Sequence, residues 1–144
     1  MQTEFEVSVR LIFWGDQLDP AYLAKALNLE ISSCTARHKG DVLKRDGNGD
    51  VVGSAKTGML SCPLDKQLPQ ARHDPDAQFQ FATTTLQKIQ GTLGERYSVE
   101  KAELQIFVYY DVEKYKGEAD FNVPSELLSE LHKHQMRMSV TVLP

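Results

Sequence analysis

A chain of 144 residues with 41% hydrophobic and 25% charged side chains is long enough to bury a core without the help of metals, and too apolar to be disordered over most of its length. Its net charge of −4, with residues 34–73 mildly basic between two acidic stretches, excludes the clustered Lys/Arg face that a nucleic-acid footprint requires. No apolar run reaches the roughly 20 residues of a membrane helix, and the acidic, strand-like start does not read as a basic leader, so a cytoplasmic protein without nucleic-acid or membrane partners is expected.

In chain order, Phe5, Val7, Val9, Leu11 and Phe13 alternate with Glu6, Ser8 and Arg10, the period-two pattern of a strand with one buried face. Leu18-Asp19-Pro20 then opens a helix: Asp19 as N-cap, Pro20 at the first helical position, Leu18 packing on Leu23 as a staple, and Leu23, Ala26 and Leu27 as the buried stripe. Asp41 to Ser61 reads as a polar hairpin around Asp46-Gly47-Asn48-Gly49-Asp50, because Asn-Gly and Asp-Gly tolerate the positive φ of tight turns. Asp74-Pro75 opens a longer helix in which Phe79, Ala82, Leu86, Ile89 and Leu93 share a face, with Gly91 weakening its last turn and Gly94 as C-cap.

Leu104, Ile106, Val108 and Tyr110 form a second alternating strand. After it comes an acidic, tyrosine-rich turn, then a helix from Asn122-Val123-Pro124 that buries Leu127, Leu128 and Leu131 and carries His132, Lys133 and His134 at its C-terminal end. Met136, Met138, Val140 and Val142 alternate with Arg137, Ser139 and Thr141 as a final half-buried strand. Half-buried strands with intervening helices predict one α+β domain over residues 1–144. The expected architecture is a two-layer sandwich, its largely antiparallel sheet covered on one face by three helices. The two ends resemble each other, Asp16, Pro20, Leu23 and Leu27 matching Asp120, Pro124, Leu127 and Leu131 at constant offset, which suits two ferredoxin-like βαβ halves. Trp14, Phe107, Ile12 and Tyr109 fall on the opposite sheet face, either under a loop or as an exposed patch.

Chemistry is harder to find. Asp46, Asn48 and Asp50 occupy the first three positions of a calcium loop, but Val51 stands where a Gly must turn and Thr57 where a Glu must close the site, so no metal is assigned. Cys34 and Cys62 are too few for a disulfide scaffold and read as free thiols. Cys34 with His38 is a conceivable nucleophile and base, although Ser32-Ser33 and Gly40 favour a loop there. A zinc set of Cys34, His38, Cys62 and His73 lacks any closely spaced ligand pair. His132 and His134 read as helix-capping groups, and no nucleotide-binding or serine-hydrolase motif is present, so no cofactor is expected. The turn itself carries Tyr109, Asp111, Glu113, Tyr115, Glu118 and Asp120, acids and aromatics whose mixture suits contact with a basic protein partner better than catalysis.

The strand running into Gly15-Asp16-Gln17-Leu18-Asp19-Pro20, the steps Lys39-Gly40-Asp41 and Lys56-Thr57-Gly58, the long amphipathic helix and Phe121-Asn122-Val123-Pro124-Ser125-Glu126-Leu127-Leu128 together resemble the bacterial domain of unknown function family numbered 4279. Met59-Leu60 takes the place of the family's usual Trp after the Thr-Gly step. The resemblance implies a compact α+β domain without an established activity, related to immunity proteins of bacterial toxin systems, and carries over no functional residues. Three classes of function follow: a non-enzymatic binding protein such as an immunity protein that covers a basic toxin domain; a small hydrolase or transferase using the loop carboxylates or Cys34 and His38; and a structural homodimer held by an edge strand or a patch around Trp14.

Overall fold

A computed structural model of the protein describes residues 5–71, 74–110, 113 and 120–143. Its main sheet has five strands in the order β2-β5-β1-β6-β7: β1 (Phe5–Gly15), β2 (Thr35–Arg37), β5 (Gly58–Pro63), β6 (Lys101–Tyr110) and β7 (Arg137–Leu143). A separate hairpin of β3 (Val42–Arg45) and β4 (Val51–Ser54) is inserted between β2 and β5, its turn lying where Asn-Gly and Asp-Gly predict it. The helices are α1 (Pro20–Ala26), α2 (Leu64–Gln67), α3 (Pro75–Gln87), α4 (Leu93–Tyr97) and α5 (Ser125–Lys133).

The expected α+β sandwich is what the chain forms, but its symmetry runs differently. β1 is antiparallel to both β5 and β6, and β2 is antiparallel to β5. Hence β1-α1-β2 is a split βαβ unit with β5 between its strands, and β5-α3-β6 is a second with β1 between its strands. These two interleaved halves make the ferredoxin-like motif. The resemblance between the chain ends instead reflects α5 and β7 being an addition: β7 lies parallel to β6, Glu103 opposite Arg137 through Tyr109 opposite Leu143. A parallel neighbour requires a crossover, and the segment containing α5 supplies it. Asp-Pro openings are also not unique to the ends, since Asp74 caps α3 as Asp19 caps α1, each carboxylate accepting from backbone N–H groups of the first turn.

One apolar cluster holds the layers together. It joins Val7, Val9, Leu11 and Phe13 of β1, Leu60 and Cys62 of β5, and Ala102, Leu104, Ile106 and Val108 of β6 to Leu23 and Leu27 of α1, Phe79 and Leu86 of α3, Leu93 and Tyr97 of α4, and Leu127 and Leu131 of α5. Five helices rather than three contribute among the described residues, because α2 adds Leu64 and the predicted long helix breaks in two. Gly91 takes a left-handed φ of 71°, Thr92 caps a new helix by accepting from Glu95 N, and Gly94 lies inside α4 rather than capping α3. Ser98, at φ 58°, ends α4 instead. Gly15 and Gly58 lie opposite each other in register, where a Cβ on Gly15 would strike the Ser98 carbonyl and one on Gly58 would strike the Gly15 carbonyl. Both must be glycine for β1, β5 and the α4–β6 connection to approach this closely.

Two expectations about surface fail in an informative way. Leu128, expected inside, is 45% exposed, and Met138, Val140 and Val142 of β7 are 43%, 50% and 64% exposed. The three β7 residues extend the buried row Leu104, Ile106 and Val108 by one strand, yet among the described residues no helix closes over them. On the far face, Ile12 is buried, and Trp14 and Phe107 are half-buried beneath cations rather than loops. Lys101 Nζ lies 4.9 Å from the Trp14 ring centre and the Arg10 guanidinium 5.4 Å from that of Phe107, which stabilises the cations and shields the rings.

β5 pairs with β1 only from Arg10 to Gly15, leaving the first half of β1 without a backbone neighbour on that side. Gln78 of α3, fully buried, takes the missing strand's place: its Oε1 accepts from Val9 N at 2.7 Å and its Nε2 donates to Val7 O at 2.9 Å. Replacing Gln78 with Leu strands two buried backbone groups, so the urea midpoint of Gln78→Leu should fall by the equivalent of about 2–4 kcal/mol, while exposed Gln80→Ala should stay within about 0.5 kcal/mol.

Candidate functional site

Of the residues expected to bind a partner, Tyr109 stands 46% exposed near the end of β6, opposite Glu6 on one side and Leu143 on the other. Glu113 and Asp120 are exposed as well. Asp111, Tyr115 and Glu118 lie outside the described residues. β6 therefore delivers an exposed tyrosine to the start of the acidic turn, and Phe121 just beyond it packs on the core against Phe79, with ring centres 6.1 Å apart.

The thiol reading is corrected. Cys34 and Cys62 form a disulfide with Cα atoms 4.5 Å apart. The register pairs Thr35 with Ser61, so the cysteines face each other directly at the next position of the β2–β5 ladder. That separation is the spacing of a non-hydrogen-bonded antiparallel pair and within reach of an S–S bond. Cys34 thus has no thiolate for nucleophilic chemistry. His38 is separated from it by the extended residues of β2, about 13 Å along a strand, and its backbone N–H donates to Asp41 Oδ2 at 2.7 Å. The Cys34/His38 pair does not form. Gln67 reinforces the disulfide region, its amide bonding both N and O of Glu30 at 2.9 and 3.0 Å.

Asp46, first of the calcium-like residues, is occupied by the hairpin turn: its Oδ1 accepts from Asn48 N at 2.9 Å and Asp50 N at 3.0 Å. His134 closes the C-terminal end of α5 as expected, but its side chain also reaches α3. Its Nε2 lies 3.1 Å from Leu86 O and 3.3 Å from Glu130 Oε2. In the tautomer protonated at Nε2, the ring donates to Leu86 O and ties the ends of the two helices together.

The structure also brings together residues from three separated motifs. Lys39 Nζ donates to Asp16 Oδ2 at 3.1 Å, and Thr57 bonds the same carboxylate. The Lys39 hydrogen bond first, and that of Thr57 second, hold the Asp16 carboxyl below its ordinary range. Asp16 N donates to Glu100 at 3.0 Å. Sequence spacing does not reveal this cluster, since residues 16, 39 and 57 meet only when the β1–β5 register is set. It is solvent-accessible and ties the loop after β1 to the loops flanking the hairpin.

Concave surface is shallow and polar. A depression of about 410 Å³ lies between the starts of α4 and β6 and the end of α5, lined by Glu95, Lys101, Lys133 and His134 among others. A second of about 460 Å³ lies beside the disulfide, with Ser32, Ser33, Thr35 and Lys66 in its wall. Among the described residues no group of three or more His, Cys, Asp and Glu side chains is placed to hold a metal ion, and no helix is long and apolar enough to cross a membrane. No family model, curated protein or solved structure matches the chain.

Two measurements test this account. Closing a loop of 28 residues should contribute about 3–4 kcal/mol through the unfolded chain, so reductant, or Cys34→Ser with Cys62→Ala, should lower the urea midpoint correspondingly. Because the folded-state pKa of Asp16 is depressed, its stabilisation is present above the ordinary carboxylate pKa and is lost as pH falls through the lowered value. Asp16→Asn should therefore flatten the decline in melting temperature below about pH 4 while leaving the rest of the pH profile in place.

Proposed function

We propose that the protein is a non-enzymatic protein-binding module, of the kind an immunity protein neutralising a toxin represents, and that the acidic turn from Tyr109 to Asp120 contacts a basic partner. The observation that carries this reading is Tyr109, a large aromatic left 46% exposed on a rigid strand where the chain enters a segment dense in carboxylates. An aromatic anchor beside like-signed charges suits a surface that steers a cation-rich protein and then holds it. The immunity-type part of the reading rests on the sequence resemblance to family 4279 alone, since no family model matches the chain. The alternative hydrolase or transferase loses its Cys34 thiol to the disulfide.

The test begins with the protein encoded beside this chain, co-expressed and co-purified with it. Reversing charge at Asp111, Glu113 and Glu118 should slow association about tenfold at low salt and leave stability within about 0.5 kcal/mol. Tyr109→Ala should mainly raise the dissociation rate. Unchanged rates in both variants would remove the turn from the interface.

A further inference from the structure

The two edges of the sheet are built differently. β2 is three residues long, bears Arg37, and is stapled to β5 by the Cys34–Cys62 disulfide. Short length and charge are devices that keep an edge from recruiting another strand. β7 has none of them. It runs seven residues in unbroken register with β6, without proline or bulge, and its one ionisable side chain, Arg137, stands at its start. On its helix-side face Met138, Val140 and Val142 are 43%, 50% and 64% exposed. On α5, Leu127 and Leu131 are buried, His134 reaches α3, and Leu128 is 45% exposed.

We propose that β7 is a homodimer interface, two copies pairing β7 against β7 antiparallel about a twofold axis perpendicular to the sheet. The strand is self-complementary in that arrangement. With Val140 opposite its own copy, Met138 faces Val142 across the axis, so the apolar rows merge on one face, while on the other Thr141 faces Ser139, whose hydroxyl donates to Glu103 Oε1 at 2.7 Å and keeps its acceptor side for the Thr141 hydroxyl. Arg137 falls opposite Leu143, so no like charges are stacked. The exposed parts of Met138, Val140 and Val142 amount to on the order of 250 Å² in each copy. With the strand edges and their polar flanks, the pair approaches the roughly 1,200 Å² at which specific interfaces begin. Because β2 is blunted, addition stops after one pairing, which gives a closed dimer rather than a growing sheet. The inference stands apart from the acidic-turn reading and survives its failure.

Sedimentation of the full chain should give twice the 16.2 kDa chain mass at micromolar to submillimolar concentration. Val140→Lys, and independently Val142→Lys, should give monomers that still unfold cooperatively. Val140→Cys, with Cys34 and Cys62 already paired, should form a symmetric disulfide dimer under mild oxidation, since directly opposed residues meet the geometry of that bond. Val51→Cys, half-exposed on the hairpin, should remain uncrosslinked. A monomeric wild-type protein overturns the proposal, as does a dimer that survives both lysine variants, or Val140→Cys chains that crosslink no faster than Val51→Cys.

Discussion

The arrangement of the whole helical layer depends on the side-chain amide of Gln78. β5 ends at Pro63, which has no N–H to donate and turns the chain directly into α2, so Val7 and Val9 of the central strand face an empty ladder position. A glutamine amide carries one donor and one acceptor spaced like those of a peptide group, and Gln78 satisfies both strand atoms from within the core. That contact pins α3 to β1. The buried His134 side chain then joins α5 to α3 through Leu86 O. With α5 held towards α3, the far side of β6 is covered but β7 is not, and its apolar row stays in solvent. The exposed edge is thus a consequence of where a single buried amide anchors a helix.

Polar chemistry in this protein is spent on organising backbone. Gln67 binds the backbone of Glu30 as Gln78 binds β1, Asp46 binds its own turn, and Asp41 holds the His38 N–H. Asp16, Lys39 and Thr57 knit the loops at one end of the sheet. Groups committed in this way have their geometry fixed by the backbone and loops they hold. Apolar and aromatic area is exposed instead on strands, at Tyr109 near the end of β6, along β7, and at Val42, Leu43, Val51 and Val52 of the hairpin.

Local signals in the sequence determined most of the elements. Asp-Pro and Asn-Gly steps placed helix starts and the hairpin tip because they act through their own φ angles and their nearest N–H groups, and alternation identified β1 and β6 because one face of each is buried by neighbours on both sides. Where a property depends on partners distant in the chain, the sequence is silent. Cys34 and Cys62 look like unrelated thiols until the β2–β5 register sets them opposite each other. Asp16, Lys39 and Thr57 occupy three separate motifs until the sheet closes. Leu128 and the row Met138, Val140 and Val142 carry the same periodicity as buried residues, because periodicity records which side chains share a face and not whether anything covers it. That covering was decided by tertiary structure alone, through the anchoring of α3 by Gln78 and of α5 by His134, contacts between residues 71 and 48 positions apart that no local pattern encodes.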